Sequence, residues 1–156
     1  MSASSSSPSE DLAARRSHCF DVSTLAGGQI RAGQVISSHA LLLEVDLRLA
    51  YCAGAWLSVI VLASAAVEAQ ARQVTANTYA STAESLFADG PDLQWLRILR
   101  NELVHAREPG SRSQLCKVDA GNIGANQAAL ESEATRAVEV MFHAIYATHK
   151  PQRRNR

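Results

Sequence analysis

Residues 55–69 read A-W-L-S-V-I-V-L-A-S-A-A-V-E-A. This stretch carries no charge before Glu68 and turns small or aliphatic side chains to every side of a helix. A helix that is apolar all round is either enclosed by other helices or lies in a membrane. Residues 49–67 are free of charge, and about 19 residues at roughly 1.5 Å each reach across a bilayer core. Tyr51, Cys52, Gly54, Ser58 and Ser64 interrupt that stretch, and leucine is scarce in it. The reading that accounts for the rest of the chain is a bundle with a buried central helix over residues 55–74. A small membrane protein is the alternative.

The composition agrees with the bundle. A chain of 156 residues fits one core. With 47% hydrophobic but only 5% aromatic residues, that core must be built from Ala, Leu and Val, which favours closely packed helices. The expected fold is therefore all-α, a bundle of four to five helices. The formal net charge is zero, so any site for a polyanion has to be a local patch. The three cysteines, Cys19, Cys52 and Cys116, are odd in number and lack C-x-x-C spacing. Free thiols in a reducing, cytoplasmic compartment are expected, with no zinc site. His18, His39, His143 and His149 have no carboxylate or cysteine at ligand spacing, so no metal and no cofactor are expected.

Outward from the central helix, the apolar positions Val35, Ile36, Leu42, Leu43, Leu49 and Ala50 suit a helix over residues 34–52, closed by Gly54. Residues 77–89 read as a connector. Asp89-Gly90-Pro91-Asp92 is a helix start, with proline tolerated in the first turn and an acid favoured by the dipole. That helix ends near His105, before Pro109-Gly110. Residues 107–125 read as a loop. Ala134, Ala137, Val138, Met141, Phe142, Ile145 and Tyr146 give an amphipathic helix over residues 128–149. The serine-rich N-terminus, residues 1–30, has no apolar signal segment and is expected to be a disordered tail. The domain proper is 34–149, followed by a basic tail over 150–156.

Residues 99–106, L-R-N-E-L-V-H-A, carry the chemistry. On a helix, Leu96, Leu99, Leu103 and Val104 form an apolar stripe, and Arg100 projects into it. A guanidinium in that place requires a partner. The candidates are an internal carboxylate, for which Glu68 on the central helix is available, or a ligand bearing phosphate or carboxylate. Asn101 and His105 lie four apart on the adjoining face, with Arg97 one turn earlier. His105 by itself reads as a surface or helix-capping residue. Asn101, a poor former of mid-helix turns, favours a purpose beyond the helix.

These residues resemble the R-x(4–6)-H motif of the HEPN superfamily, small helical domains that include bacterial toxin and anti-phage ribonucleases. Asn101 after the arginine and Leu103-Val104 before the histidine support the resemblance. So does Tyr51-x-x-Gly54-Ala55-Trp56 with the alanine-rich run to Glu68, which is similar to the long central HEPN helix. The likeness spans roughly residues 35–148. Arg136 and His143 also satisfy the spacing, without the asparagine. One branch of the superfamily has a tyrosine two residues after the histidine; this chain has Arg107 there, so modification of such a tyrosine is not implied.

The resemblance implies a HEPN-like bundle, a homodimer whose motif helices face each other across a two-fold axis, and metal-independent cleavage of RNA. Arg100, Asn101 and His105 would be the catalytic residues, with Glu68 and Arg97 in support and an antitoxin protein as a possible partner. A neutral imidazole would take the proton of an RNA 2′-hydroxyl, and arginine would stabilise the phosphorane oxygens. The alternative is a non-catalytic HEPN-like module that binds RNA or protein and dimerises, with an Arg100–Glu68 pair that is purely architectural.

Overall fold

A computed structural model describes residues 8–27, 35–76, 90–105 and 123–146. Its elements are five helices: α1 (Pro8–Gly27), α2 (Ser38–Ala53), α3 (Trp56–Ala76), α4 (Pro91–Val104) and α5 (Ile123–Tyr146). No strand occurs among the described residues. The expected connector 77–89, most of the loop 107–125, the basic tail and Cys116 lie outside them.

The all-α bundle stands, but its membership differs from the expectation. α1 packs on α2 and α5, α2 on α3, and α3 on α5, which closes a ring of four helices. α4 lies across the seam between α3 and α5. Residues 8–27 are thus a bundle helix and not part of a disordered tail. Ala13, Arg16, Ser17 and Phe20 form its covered face at i, i+3, i+4 and i+7. Phe20, only 2% exposed, meets the ring of Tyr51 at 5.8 Å and that of Phe142 at 5.4 Å. The Arg16 guanidinium sits 4.7 Å from the centre of the Trp56 ring and donates to the Cys52 carbonyl at 3.4 Å. Arg48 of α2 reaches back to Asp21 at 2.9 Å. The serine run before this helix and its thin apolar face hide the pattern in sequence.

α2 begins at Ser38, four residues later than expected, for a reason supplied by α3. Gln70, 2% exposed, accepts from the Ser37 backbone N–H at 2.8 Å and donates to the Val35 carbonyl at 2.9 Å. This amide acts as a surrogate strand that keeps residues 35–37 extended. The Ser37 hydroxyl then caps the helix by accepting from the Ala40 N–H. At the other end Gly54 adopts φ 74°, and the Ala55 N–H reaches the Ala50 carbonyl at 2.9 Å. The left-handed backbone favours glycine at position 54, where a Cβ would also stand 2.6 Å from Arg16 Nη1 and push that side chain aside.

α3 is central without being wholly enclosed. Val59, Ile60, Ala63, Ala66, Val67 and Ala71 are buried, whereas Leu57 and Ser58 in its first turn are exposed. No described helix is long and apolar enough to cross a membrane. α5 buries Ala134, Ala137, Val138, Met141, Phe142 and Ile145, the face that its periodicity predicts.

Phe20→Ala is expected to lower stability by about 3–5 kcal/mol, measured by urea unfolding; an unchanged midpoint would mean that α1 does not belong to the core. The buried phenols give a pH signature. Burial and the Glu44 carboxylate, which accepts from the Tyr146 hydroxyl at 2.8 Å, raise the Tyr146 pKa, and burial raises that of Tyr51. Above about pH 10 the unfolded chain loses these protons while the folded chain keeps them, so stability should fall as pH rises. Tyr146→Phe should flatten that decline in alkaline melting curves.

Candidate functional site

α4 starts with Gly90 as N-cap and Pro91 in its first turn, and it stops at His105, as the sequence predicts. Leu96 and Leu99 are buried and Leu103 is half-buried, so the stripe expected to anchor the helix does so. Val104 departs from it and is exposed. The anchored stripe fixes the rotation of α4, and with it the direction of the residues at its C-terminal end.

There the polar residues converge on Asn101. The half-buried Arg100 donates from Nη1 to Asn101 Oδ1 at 2.8 Å. His105 closes the helix with φ −103° and ψ 15°, its backbone N–H donating to the Asn101 carbonyl at 3.0 Å. The Asn101 side chain therefore holds the arginine, while its carbonyl makes with His105 the i→i−4 bond of the helix's last turn. The His105 side chain is exposed, as is that of Arg97. A guanidinium carries five donors in a planar fork, and one contact to an amide leaves the fork able to meet a phosphate. The Asn101 amide, turned with its oxygen to Arg100, keeps its NH2 as a further donor. The end of α4 thus carries the Arg100 and Asn101 hydrogen-bond donors and an exposed histidine.

Glu68 does not join them. Its carboxylate pairs with Arg72 one turn on, at 3.5 Å, and it lines a cavity of about 330 Å³ together with Ser37, His39 and Leu43. That is the α2 side of α3, while α3 turns Val67 and Ala71 towards Leu93 of α4. In place of an Arg100–Glu68 pair, one of the two candidates for the arginine, there are two local contacts, each within its own helix.

The second R-x6-H pair is committed to packing. Arg136 lies 4.1 Å from the centre of the Trp95 ring and pairs with Asp92 at 2.9 Å, tying α5 to the first turn of α4. The His143 Nδ1 donates to the Glu139 carbonyl at 2.8 Å. Both line a cavity of about 490 Å³ floored by Val67, Leu93 and Val140. Three helices contribute to this cavity, so no single stretch of sequence announces it. The described residues hold no cluster of three potential metal ligands, and Cys19 and Cys52 are free thiols.

Because Arg100 holds no buried carboxylate in place, Arg100→Ala is expected to shift the melting temperature by only a few degrees, about 1 kcal/mol or less. A loss of about 3–5 kcal/mol would instead signal a buried ion pair.

The chain matches no protein-family model, no curated protein and no solved structure. The functional reading therefore rests on the residues at the end of α4.

Proposed function

We propose that the chain is a metal-independent endoribonuclease of the HEPN type, with Arg100, Asn101 and His105 as its catalytic residues. The observation that carries this reading is the placement of the three on one helix end, with Arg100 held by the Asn101 side chain and His105 exposed one turn on. The proposal extends to RNA as substrate, a homodimer as the assembled form, a cytoplasmic site of action and, in a toxin pairing, an antitoxin protein as partner.

In this mechanism the His105 imidazole takes the proton from a 2′-hydroxyl, and the freed oxygen attacks the adjacent phosphorus. The P–O5′ bond breaks, leaving a 2′,3′-cyclic phosphate on one fragment. A second histidine, from the facing motif helix of the homodimer, gives a proton to the departing 5′-oxygen, so an acid and a base close the balance. Arg100 donates to the phosphoryl oxygens as their charge grows, a role that forked donors perform best. Asn101 holds the arginine in place through its oxygen and offers its NH2 to the same phosphate. On α4, Ile98 and Val104 are exposed large aliphatics, and Trp95 is half-buried beneath Arg136.

Purified protein should cut single-stranded RNA or tRNA in excess EDTA and leave 2′,3′-cyclic phosphate ends. His105→Ala should lower the rate by at least about a hundredfold, the scale of a lost general base. Equal cleavage by wild type and variant would remove the mechanism, and no cleavage by either would favour the non-catalytic module.

A further inference from the structure

We propose that the cavity between α3, α4 and α5 is a binding site for a small amphiphilic amine, a primary ammonium group on an apolar body. The site stands apart from the Arg100–Asn101–His105 end, because α4 contributes to it Gly90, Asp92 and Leu93, at the opposite end of that helix. Its volume of about 490 Å³ falls in the range of roughly 300–1,000 Å³ that small-molecule sites span. The floor is hydrocarbon: Val67 and Ala71 of α3, Leu93 of α4, and Val140 and Ala144 of α5. Val67, Ala71 and Val140 are no more than 9% exposed, so the floor is part of the core and is held by it. Arg136, Glu139 and His143 share one face of α5 at i, i+3 and i+7 and form the rim together with Asp92.

The charge left at the rim selects the head group. Arg136 and Asp92 answer each other at 2.9 Å, and the guanidinium lies 4.1 Å from the centre of the Trp95 ring, so this pair presents no net charge. Asp92 also stands in the first turn of α4, where an acid offsets the positive helix end that would otherwise attract an anion. The Glu139 carboxylate is then the unbalanced charge, since none of the ion pairs among the described residues involves it. One turn on, His143 gives its Nδ1–H to the Glu139 carbonyl, and a neutral imidazole bonded in that way keeps Nε2 as a lone-pair acceptor. A carboxylate and an imidazole nitrogen are acceptors for an ammonium group, which brings three donors and a positive charge. Gln70, also at the cavity, is engaged elsewhere, its oxygen with the Ser37 N–H and its nitrogen with the Val35 carbonyl. Apolar floor and anionic rim thus match the two halves of such an amine, and an acid of the same shape would meet Glu139 as a like charge.

The probe is n-octylamine, with octanoate and octanol as controls that keep the body and change the head. Calorimetric titration of the full chain near neutral pH should give the amine a Kd of about 100 µM or tighter, at least about tenfold below that of octanoate. Glu139→Lys, at an exposed position that leaves the melting curve unchanged, should invert the order, the amine weakening at least about tenfold and the acid gaining. Ala144→Phe, which fills the floor, should abolish binding of all three. In methyl NMR of the wild type, the amine should shift Val67, Leu93 and Val140 and leave Leu42 and Leu49, exposed on α2, unmoved. Equal or tighter binding of octanoate by the wild type would overturn the proposal, as would no binding of the amine up to about 5 mM or an affinity that Glu139→Lys leaves as it was. Shifts centred on α2 would mark adsorption to exposed aliphatics and would refute it as well. So would contacts between Leu86 and Val140 in the amine-free protein, because residues 77–89 of the chain itself would then fill the space. Every one of these measurements is made without RNA, so the result stands independently of the cleavage assay.

Discussion

Small side chains at the centre of the bundle govern everything built around them. Ala63 and Ala66 on α3, and Ala134 and Ala137 on α5, are wholly buried, and their size lets the helices approach closely. Interhelical distance follows the residues at the contact, so alanines there draw the axes together and leave few gaps for large side chains. The aromatic residues are accordingly gathered along one run instead of being spread through the core. Trp56, Tyr51, Phe20, Phe142 and Tyr146 touch in that order, with ring separations between 5.3 and 5.9 Å. α1 supplies Phe20 to the middle of that run, which is why a helix with so thin an apolar face is held to the bundle.

What the sequence disclosed was local. The Gly54 turn, the Pro91 start, the stop at His105 and the buried face of α5 each follow from residues within one or two turns of one another. The start of α2 escaped because Gln70, more than thirty residues downstream, sets it through two hydrogen bonds. α1 escaped because its arginine and phenylalanine gain meaning only from Trp56, Tyr51 and Phe142. Glu68 illustrates the same boundary in the candidate site. A helical wheel says which way a side chain leaves its own axis and nothing about which neighbour stands there. The partner that Glu68 takes, Arg72, is the one that helical spacing alone offers.

The polar end of α4 differs from the arginines that tie helices together. Arg16 is spent on a ring face and a helix carboxyl end, Arg48 on α1, and Arg136 on a ring face and Asp92. Each of these arginines joins two helices. Arg100 bonds its own neighbour instead, a contact that adds little to the fold and fixes the attitude of a guanidinium. Its half-burial strips part of its hydration, which strengthens any charged hydrogen bond made from that position. An arginine oriented in this way is a costly ornament for architecture and a useful one for an anion.

The close approach of Arg16 to Gly54 carries an evolutionary consequence. The guanidinium occupies the space that a Cβ at position 54 would fill, while its Nη1 donates to Cys52, two residues before that glycine. The two positions therefore constrain one another across a span of chain that includes the whole of α2. A side chain at position 54 would displace the arginine from the Cys52 carbonyl and the Trp56 ring, and it would still sit in a left-handed backbone that favours glycine. In diverging descendants position 16 should therefore vary while glycine persists at position 54.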